Sequence, residues 1–208
     1  MKTLLVSTAF ILSAAYVDRL PAVKQKAAPV MIKSQITRDG TRILVDNRYF
    51  KLRLIARTPE QIAAFYYARG FPQAMIERIT KTCFITTGIT NKTKDILWMD
   101  LAHWKFTTAD NRQVRRFSRR YWFALWKKMK VPLRFQSTFR WTLIPRSLDY
   151  RPQEREGGNI TLEPTTQSFT LTALFHVGQD QRTARPVLLH LPGIRCAGTT
   201  ATKQKGSK

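Results

Sequence analysis

The feature that most constrains this chain is a strict two-residue alternation of apolar side chains. Phe169, Leu171, Ala173, Phe175 and Val177 occupy every second position of one run. Only an extended backbone puts alternate side chains on one face, so this run predicts a half-buried strand. Shorter runs repeat the pattern. Cys83, Ile85, Thr87 and Ile89 alternate with Phe84, Thr86 and Gly88, and Phe50, Leu52 and Leu54 alternate with Tyr49, Lys51 and Arg53. Ile96–Met99, Trp104–Thr107, Asn159–Leu162 and Val187–Leu191 add further candidates. Ser34–Thr37 and Thr41–Val45 flank Asp39-Gly40, a hairpin turn signal. Phe135, Ser137, Phe139, Trp141 and Leu143 predict one more strand, which Pro145 stops.

Two segments change period. Thr58-Pro59-Glu60 is a helix start, with Thr58 as cap and Pro59 in the first turn. Ile62, Phe65 and Tyr66 then share a face, Gly70 and Pro72 interrupt, and Met75 and Ile79 predict a second short helix. Over 112–130, Val114, Phe117, Tyr121, Leu125 and Met129 form an apolar stripe with Trp122 at its border. Arg115, Arg116, Arg119, Arg120, Lys127 and Lys130 lie opposite, which makes a basic amphipathic helix that Pro132 ends.

Six or more short strands divided by turns predict a mainly β sandwich with a helical N-terminal segment and an inserted basic helix. From Cys83 onward the order of features resembles the immunoglobulin-like accessory domains of bacterial exported proteins, the broad group of DUF4352 and FxLYD-type modules. The residues that carry the likeness are Phe84 to Asn91, Trp104 to Asn111, Pro152 to Ile160, and Phe169-Thr170-Leu171. It spans about residues 82–178. Asn111 stands where such hairpins usually carry Gly, and the 112–130 helix is an insertion relative to them. The resemblance implies a binding or accessory module and no particular ligand.

The chain has 208 residues, 43% of them hydrophobic, which suffices for a real core. Thirty-six Lys and Arg oppose 13 Asp and Glu, a net charge of +23. That balance either keeps an exported protein soluble or points to an anionic partner. Met1-Lys2, the apolar Thr3–Val17 and the small Ser13-Ala14-Ala15 read as a secretory signal at 1–15, with a buried helix or retained anchor as the other readings. A basic linker is expected over 16–33, a hairpin with short helices over 34–81, the sandwich over 82–196, and a basic tail over 197–208. Export would place the protein in the periplasm or outside the cell, with membrane association left open. There an even pair, Cys83 and Cys196, reads as a disulfide, against the alternative of two separate buried thiols.

Signatures of chemistry are sparse. His103, His176 and His190 lack ligand-spaced partners, and HExxH, CxxC, GxSxG and the phosphate-loop pattern do not occur, so no metal or cofactor is implied. Asp95 and Asp100 flank a strand and Glu154 and Glu156 sit in a loop; either pair could be imagined as general acid and base, and solvated charges explain them better. Gly157-Gly158 reads as a bend in a loop. Asn91-Lys92-Thr93 and Asn159-Ile160-Thr161 match the glycosylation triplet. The candidate interaction surface is Arg115, Arg116, Arg119, Arg120, Trp122, Phe123, Trp126, Lys127 and Lys130. Either the helix packs its stripe on the sandwich and leaves its charges in water, or, because its aromatics extend past that stripe, it meets an envelope protein or an anionic membrane surface. A small-molecule substrate is not expected. Nucleic acid is the competing partner, favoured by charge but lacking any known binding motif.

Overall fold

The computed structural model describes residues 33–198. The expected signal at 1–15, the linker up to residue 32 and the tail from residue 199 lie outside these residues. In chain order the elements are β1 (Lys33–Ile36), β2 (Arg42–Asp46), β3 (Phe50–Arg57), α1 (Pro59–Tyr67), α2 (Gln73–Thr80), β4 (Cys83–Asn91) and β5 (Leu97–Thr108). Then follow β6 (Arg116–Phe117), α3 (Arg119–Lys128), α4 (Leu133–Thr142), β7 (Ser147–Tyr150), β8 (Arg155–Leu162), β9 (Phe169–Val177) and β10 (Arg185–Ile194). The strands form two antiparallel sheets, ordered β1-β2-β3-β4-β8-β6 and β10-β9-β5-β7. They pack as the sandwich the alternation calls for.

The core between the sheets is built from alternate residues. Leu52 and Leu54 of β3, Ile85 and Ile89 of β4, and Ile160 and Leu162 of β8 meet Met99, Phe106, Leu171 and Phe175 of the facing sheet. Phe50 packs on Phe175 with ring centroids 4.5 Å apart. β1 and β2 extend the same sheet through β3, so the 34–57 segment is part of the sandwich and not a separate N-terminal unit.

A second apolar cluster lies on the other face of the six-stranded sheet. Phe84 of β4 enters it, joined by Ile62, Tyr66, Phe71, Met75, Ile76 and Ile79 of the α1–α2 region and by Trp122, Trp126 and Phe139 of α3 and α4. Both helix pairs are therefore loops of the sandwich folded back over one sheet, giving three layers. α1 starts as expected: Thr58 Oγ1 accepts from the Gln61 amide at 3.3 Å and the Gln61 side chain accepts from the Thr58 amide, a capping box.

Several elements differ from the sequence reading. The 135–143 run is helix α4, not a strand. Phe135 and Phe139 are spaced four apart as well as two plus two, so both periods fit, and Trp141 falls on the exposed side. The basic helix begins at Arg119 instead of 112, because Arg116 and Phe117 pair with Leu162 and Thr161 of β8 as a short strand. Val114 accordingly belongs to the inter-sheet core and not to a helix stripe. The two strand candidates at 96–99 and 104–107 are one strand, β5, whose register against β9 shifts between Met99 and Trp104. That irregularity breaks the alternation in sequence. Asn111 adopts φ +64° in the following turn, a conformation Asn tolerates better than most residues, so Gly is not required there.

Cys83 and Cys196 are bonded, with Cα atoms 5.2 Å apart. Cys83 opens β4 in one sheet and Cys196 follows β10 in the other, so the bond closes the two layers at one end. At the other end Asn91 is fully buried, and its Nδ2 donates to the carbonyls of Asp95 (2.7 Å), Tyr150 (2.9 Å) and Arg151 (3.1 Å). Asn91 is thus a structural cross-link and no glycan acceptor.

Gly157 and Gly158 lie within β8, opposite Gly88 and Thr87, and not in a loop. A Cβ on Gly158 would stand 2.5 Å from the Ile144 nitrogen, where the α4–β7 connector passes along β8 and the Ile144 amide donates to the Asn159 carbonyl at 3.1 Å.

Two stability outcomes follow. Replacing both cysteines by alanine should cost about 2–5 kcal/mol in urea unfolding and abolish the effect of reductant on the midpoint. Gly158→Ala should cost about 1–3 kcal/mol because backbone must move. Gly88→Ala, whose Cβ would meet nothing nearer than 3.8 Å, should change the same midpoint far less.

Candidate functional site

Residues 111–148 contain eleven Lys and Arg and no Asp or Glu. This stretch folds into β6, the α3–α4 pair and its connectors, so its basic residues gather in one part of the helical layer. α3 is capped by Ser118, whose Oγ accepts from the Tyr121 amide at 3.1 Å. It stops where the Lys130 amide donates to the Lys127 carbonyl (3.1 Å) and the Val131 amide to the Trp126 carbonyl (3.0 Å). Lys130 takes φ +54° at this stop, a position usually given to Gly. Pro132 then leads into α4.

Trp122 and Trp126 correct the expected interaction surface. They turn inward and stack on each other at 5.0 Å, and Phe139 meets them edge-on at 5.1 and 5.5 Å. Both are at most 2% exposed. Trp122 Nε1 also donates to the Thr161 hydroxyl at 2.8 Å, tying α3 to β8. With Ser118 as the cap and the helix starting at Arg119, the largest rings at i and i+4 take the inner face, and Tyr121 is left 39% exposed. The remaining expected residues do reach the surface. Arg115, Arg120, Phe123, Lys127 and Lys130 are exposed, and Arg116 and Arg119 are half-buried.

The structure adds residues to this face that the strand reading of 135–143 had hidden. Arg134, Arg140, Leu133 and Trp141 project from α4, and Trp141 is 79% exposed. Among the described residues, six of the eight exposed large hydrophobics lie on helices: Phe65 and Tyr67 on α1, Tyr121 and Phe123 on α3, Leu133 and Trp141 on α4. The signal in the sequence was the missing carboxylates between Asn111 and Leu148.

Of the cavities that open on the helical layer, two bear on the site. One, of about 320 Å³, lies between the start of α3, the β5 bulge, the α4–β7 connector and β8, and is lined by Arg116, Arg119, Arg120 and Arg146. Burial pulls the Arg116 guanidinium below the usual arginine range, with Arg146 acting the same way and Asp100 opposing. Burial, then Arg140, lowers Arg119 likewise. Asp100 is held by the Ala102 amide at 2.7 Å and lies 3.5 Å from Arg146. The other cavity, about 740 Å³, is a groove between α1, α4 and the sheet, with Phe65, Tyr66, Phe84 and Trp141 on its walls. Its polar groups satisfy one another. Arg57 Nε donates to Thr86 Oγ1 (3.0 Å), Thr86 to Asn159 Oδ1 (3.0 Å), and Asn159 Nδ2 to the Thr142 carbonyl (2.8 Å). Asn159, the second triplet's acceptor, is thereby committed. Tyr66 bonds Thr142 at 2.8 Å, and burial raises its phenol well above the usual range.

The carboxylate pairs serve local structure. Asp95 accepts from Gln179 at 2.9 Å, and Glu154 accepts from the Arg151 amide at 2.6 Å. Burial, then His103, lowers the His176 pKa. Among the described residues no three His, Cys, Asp or Glu gather as a metal site, and no helix is long and apolar enough to cross a membrane.

Comparison with protein-family models, curated proteins and solved structures finds no match for this chain.

Thr161→Val should strand the Trp122 indole N–H in a buried site. The expected loss is about 1–3 kcal/mol of unfolding free energy, read by chemical denaturation.

Proposed function

We propose that this chain is a non-catalytic, exported module of the cell envelope that docks through its helical layer on an anionic partner. The observation that carries the reading is the coincidence, on one layer, of a carboxylate-free cationic stretch with most of the exposed large hydrophobic side chains. Cations alone would suit many polyanions. Cations interleaved with Phe123, Leu133 and Trp141 suit a surface that is charged outside and apolar beneath, as a lipid headgroup layer is. Each Lys or Arg brought to such a surface contributes about 1 kcal/mol at physiological salt, so several acting together suffice for reversible docking.

The disulfide supports an oxidising compartment. The likeness to exported immunoglobulin-like accessory modules supports the same location and a role as an accessory component of an envelope assembly. Nucleic acid is the second reading, favoured by the eleven basic residues of 111–148.

One comparison separates the two. Phe123→Ser combined with Trp141→Ser keeps every charge. It should weaken co-sedimentation with vesicles containing phosphatidylglycerol at least several-fold, and leave the affinity for double-stranded RNA, which is bound through its phosphates, unchanged. If vesicle binding survives this pair intact, or if only RNA binds, the membrane reading is wrong. Recovery of a full-length cytosolic protein with two free thiols would likewise end the export proposal.

A further inference from the structure

We propose that the arginine-lined cavity at the start of α3 binds a phosphomonoester group, as the specific contact within the anionic docking described above. This rests on that reading and narrows it to one site.

Arg116, Arg119, Arg120 and Arg146 line a single cavity of about 320 Å³, and Asp100 is the carboxylate beside it. Four guanidiniums and one carboxylate leave a local charge near +3. Like charges held this close repel, and half-burial of Arg116 and Arg119 strengthens the repulsion by removing water. Arg119 and Arg120 also occupy the first turn of α3, where the helix dipole disfavours cations. Arg146 is paired with Asp100 and Arg119 donates to a backbone carbonyl, but neither contact offsets the excess of positive charge around the cavity, which an anion in it would relieve. The guanidinium of Arg119 is oriented by donation from Nη2 to the Leu143 carbonyl, and its Nε meets no acceptor among the described residues.

The lining also selects the ligand class. Guanidiniums match phosphate oxygens with paired parallel hydrogen bonds. A phosphomonoester carries about −1.5 to −2 at neutral pH, against −1 for a carboxylate or a phosphodiester, so it balances more of the local charge. Leu101, Phe117, Leu143, Ile144 and Ile160 supply apolar walls, which suit a phosphate attached to a carbon skeleton better than a bare ion. The volume is at the low end for ligand cavities, enough for a headgroup and its first carbons. A lipid headgroup and a soluble phosphorylated molecule share this chemistry.

The test compares vesicles doped with phosphatidic acid, a monoester, with vesicles doped with phosphatidylglycerol, a diester, at matched zeta potential. The protein is expected to prefer phosphatidic acid. Arg116→Gln and Arg146→Gln should each lower that affinity about tenfold, the effect of losing one charge-assisted contact, and abolish the preference. Arg146 is mostly exposed, so its variant keeps the test valid if Arg116→Gln is poorly folded in a thermal melt. Lys127→Gln with Lys130→Gln should weaken both vesicle types alike and keep the preference. Competition by glycerol 3-phosphate, dependent on Arg146, would identify a site open to soluble ligands. A persisting phosphatidic acid preference without competition would identify one that needs the lipid surface. Equal binding of both vesicles, unmoved by Arg116→Gln and Arg146→Gln, would overturn the pocket and leave the general docking intact. No binding to either vesicle or to glycerol 3-phosphate would overturn both.

Discussion

The row of side chains Arg57, Phe84, Thr161 and Phe117, aligned across β3, β4, β8 and β6, is the seam on which the rest of the molecule depends. A sheet face in an ordinary sandwich alternates apolar-in with polar-out, and its outer row is wet. Here Phe84 and Thr161 of the outer row are dry: Tyr66 packs edge-on against Phe84, and Trp122 bonds the Thr161 hydroxyl. Burying one polar group against another at 2.8 Å costs little, and the surrounding rings supply the apolar contact. α3 is thereby placed with its start beside β8 and its cations away from the core. Everything proposed about docking follows from that placement.

The aromatic cluster also joins two insertions that are distant in sequence. Tyr66 of α1 contacts Phe84, Phe71 and Phe139, and Phe71 contacts Phe135 of α4. The helical layer is thus one body and not two independent flaps, so cations and exposed aromatics keep a fixed relation to each other. Some local choices run against stability: arginines in the first turn of α3, a lysine at a left-handed helix stop, four guanidiniums around one cavity. Natural sequences tend to break local rules where function demands it. These departures lie close together in the fold, at the start and end of α3 and on the connectors beside it.

Much of the sandwich was legible in the sequence. β9, β3 and β4 alternate cleanly because each has one face against the inter-sheet core, and a period of two has no helical interpretation over nine residues. The α1 start was legible because its capping residues are local. The 135–143 run was not, since Phe135 and Phe139 satisfy both periods. Only the surface they pack on, the Trp122–Trp126 stack and Phe71, decides for the helix. The 112–118 segment was misread for a related reason. Its extended form is enforced by pairing with β8, a partner more than forty residues away, which no local propensity reports.

The amino-acid order by itself determined the β class, the charge asymmetry and the two cysteines available to pair, because each depends on local pattern or on counting. It placed the basic residues on one helix but not the buried face of that helix. Tertiary structure decided that Trp122 and Trp126 are core, that Arg146 joins Arg116 and Arg119 at one cavity, and that Gly158 gives way to a crossing chain. The physical reason is common to all three. Burial and charge clustering are properties of surfaces brought together by the long-range pairing of β4 with β8 and β5 with β9, and neither is carried by a residue alone.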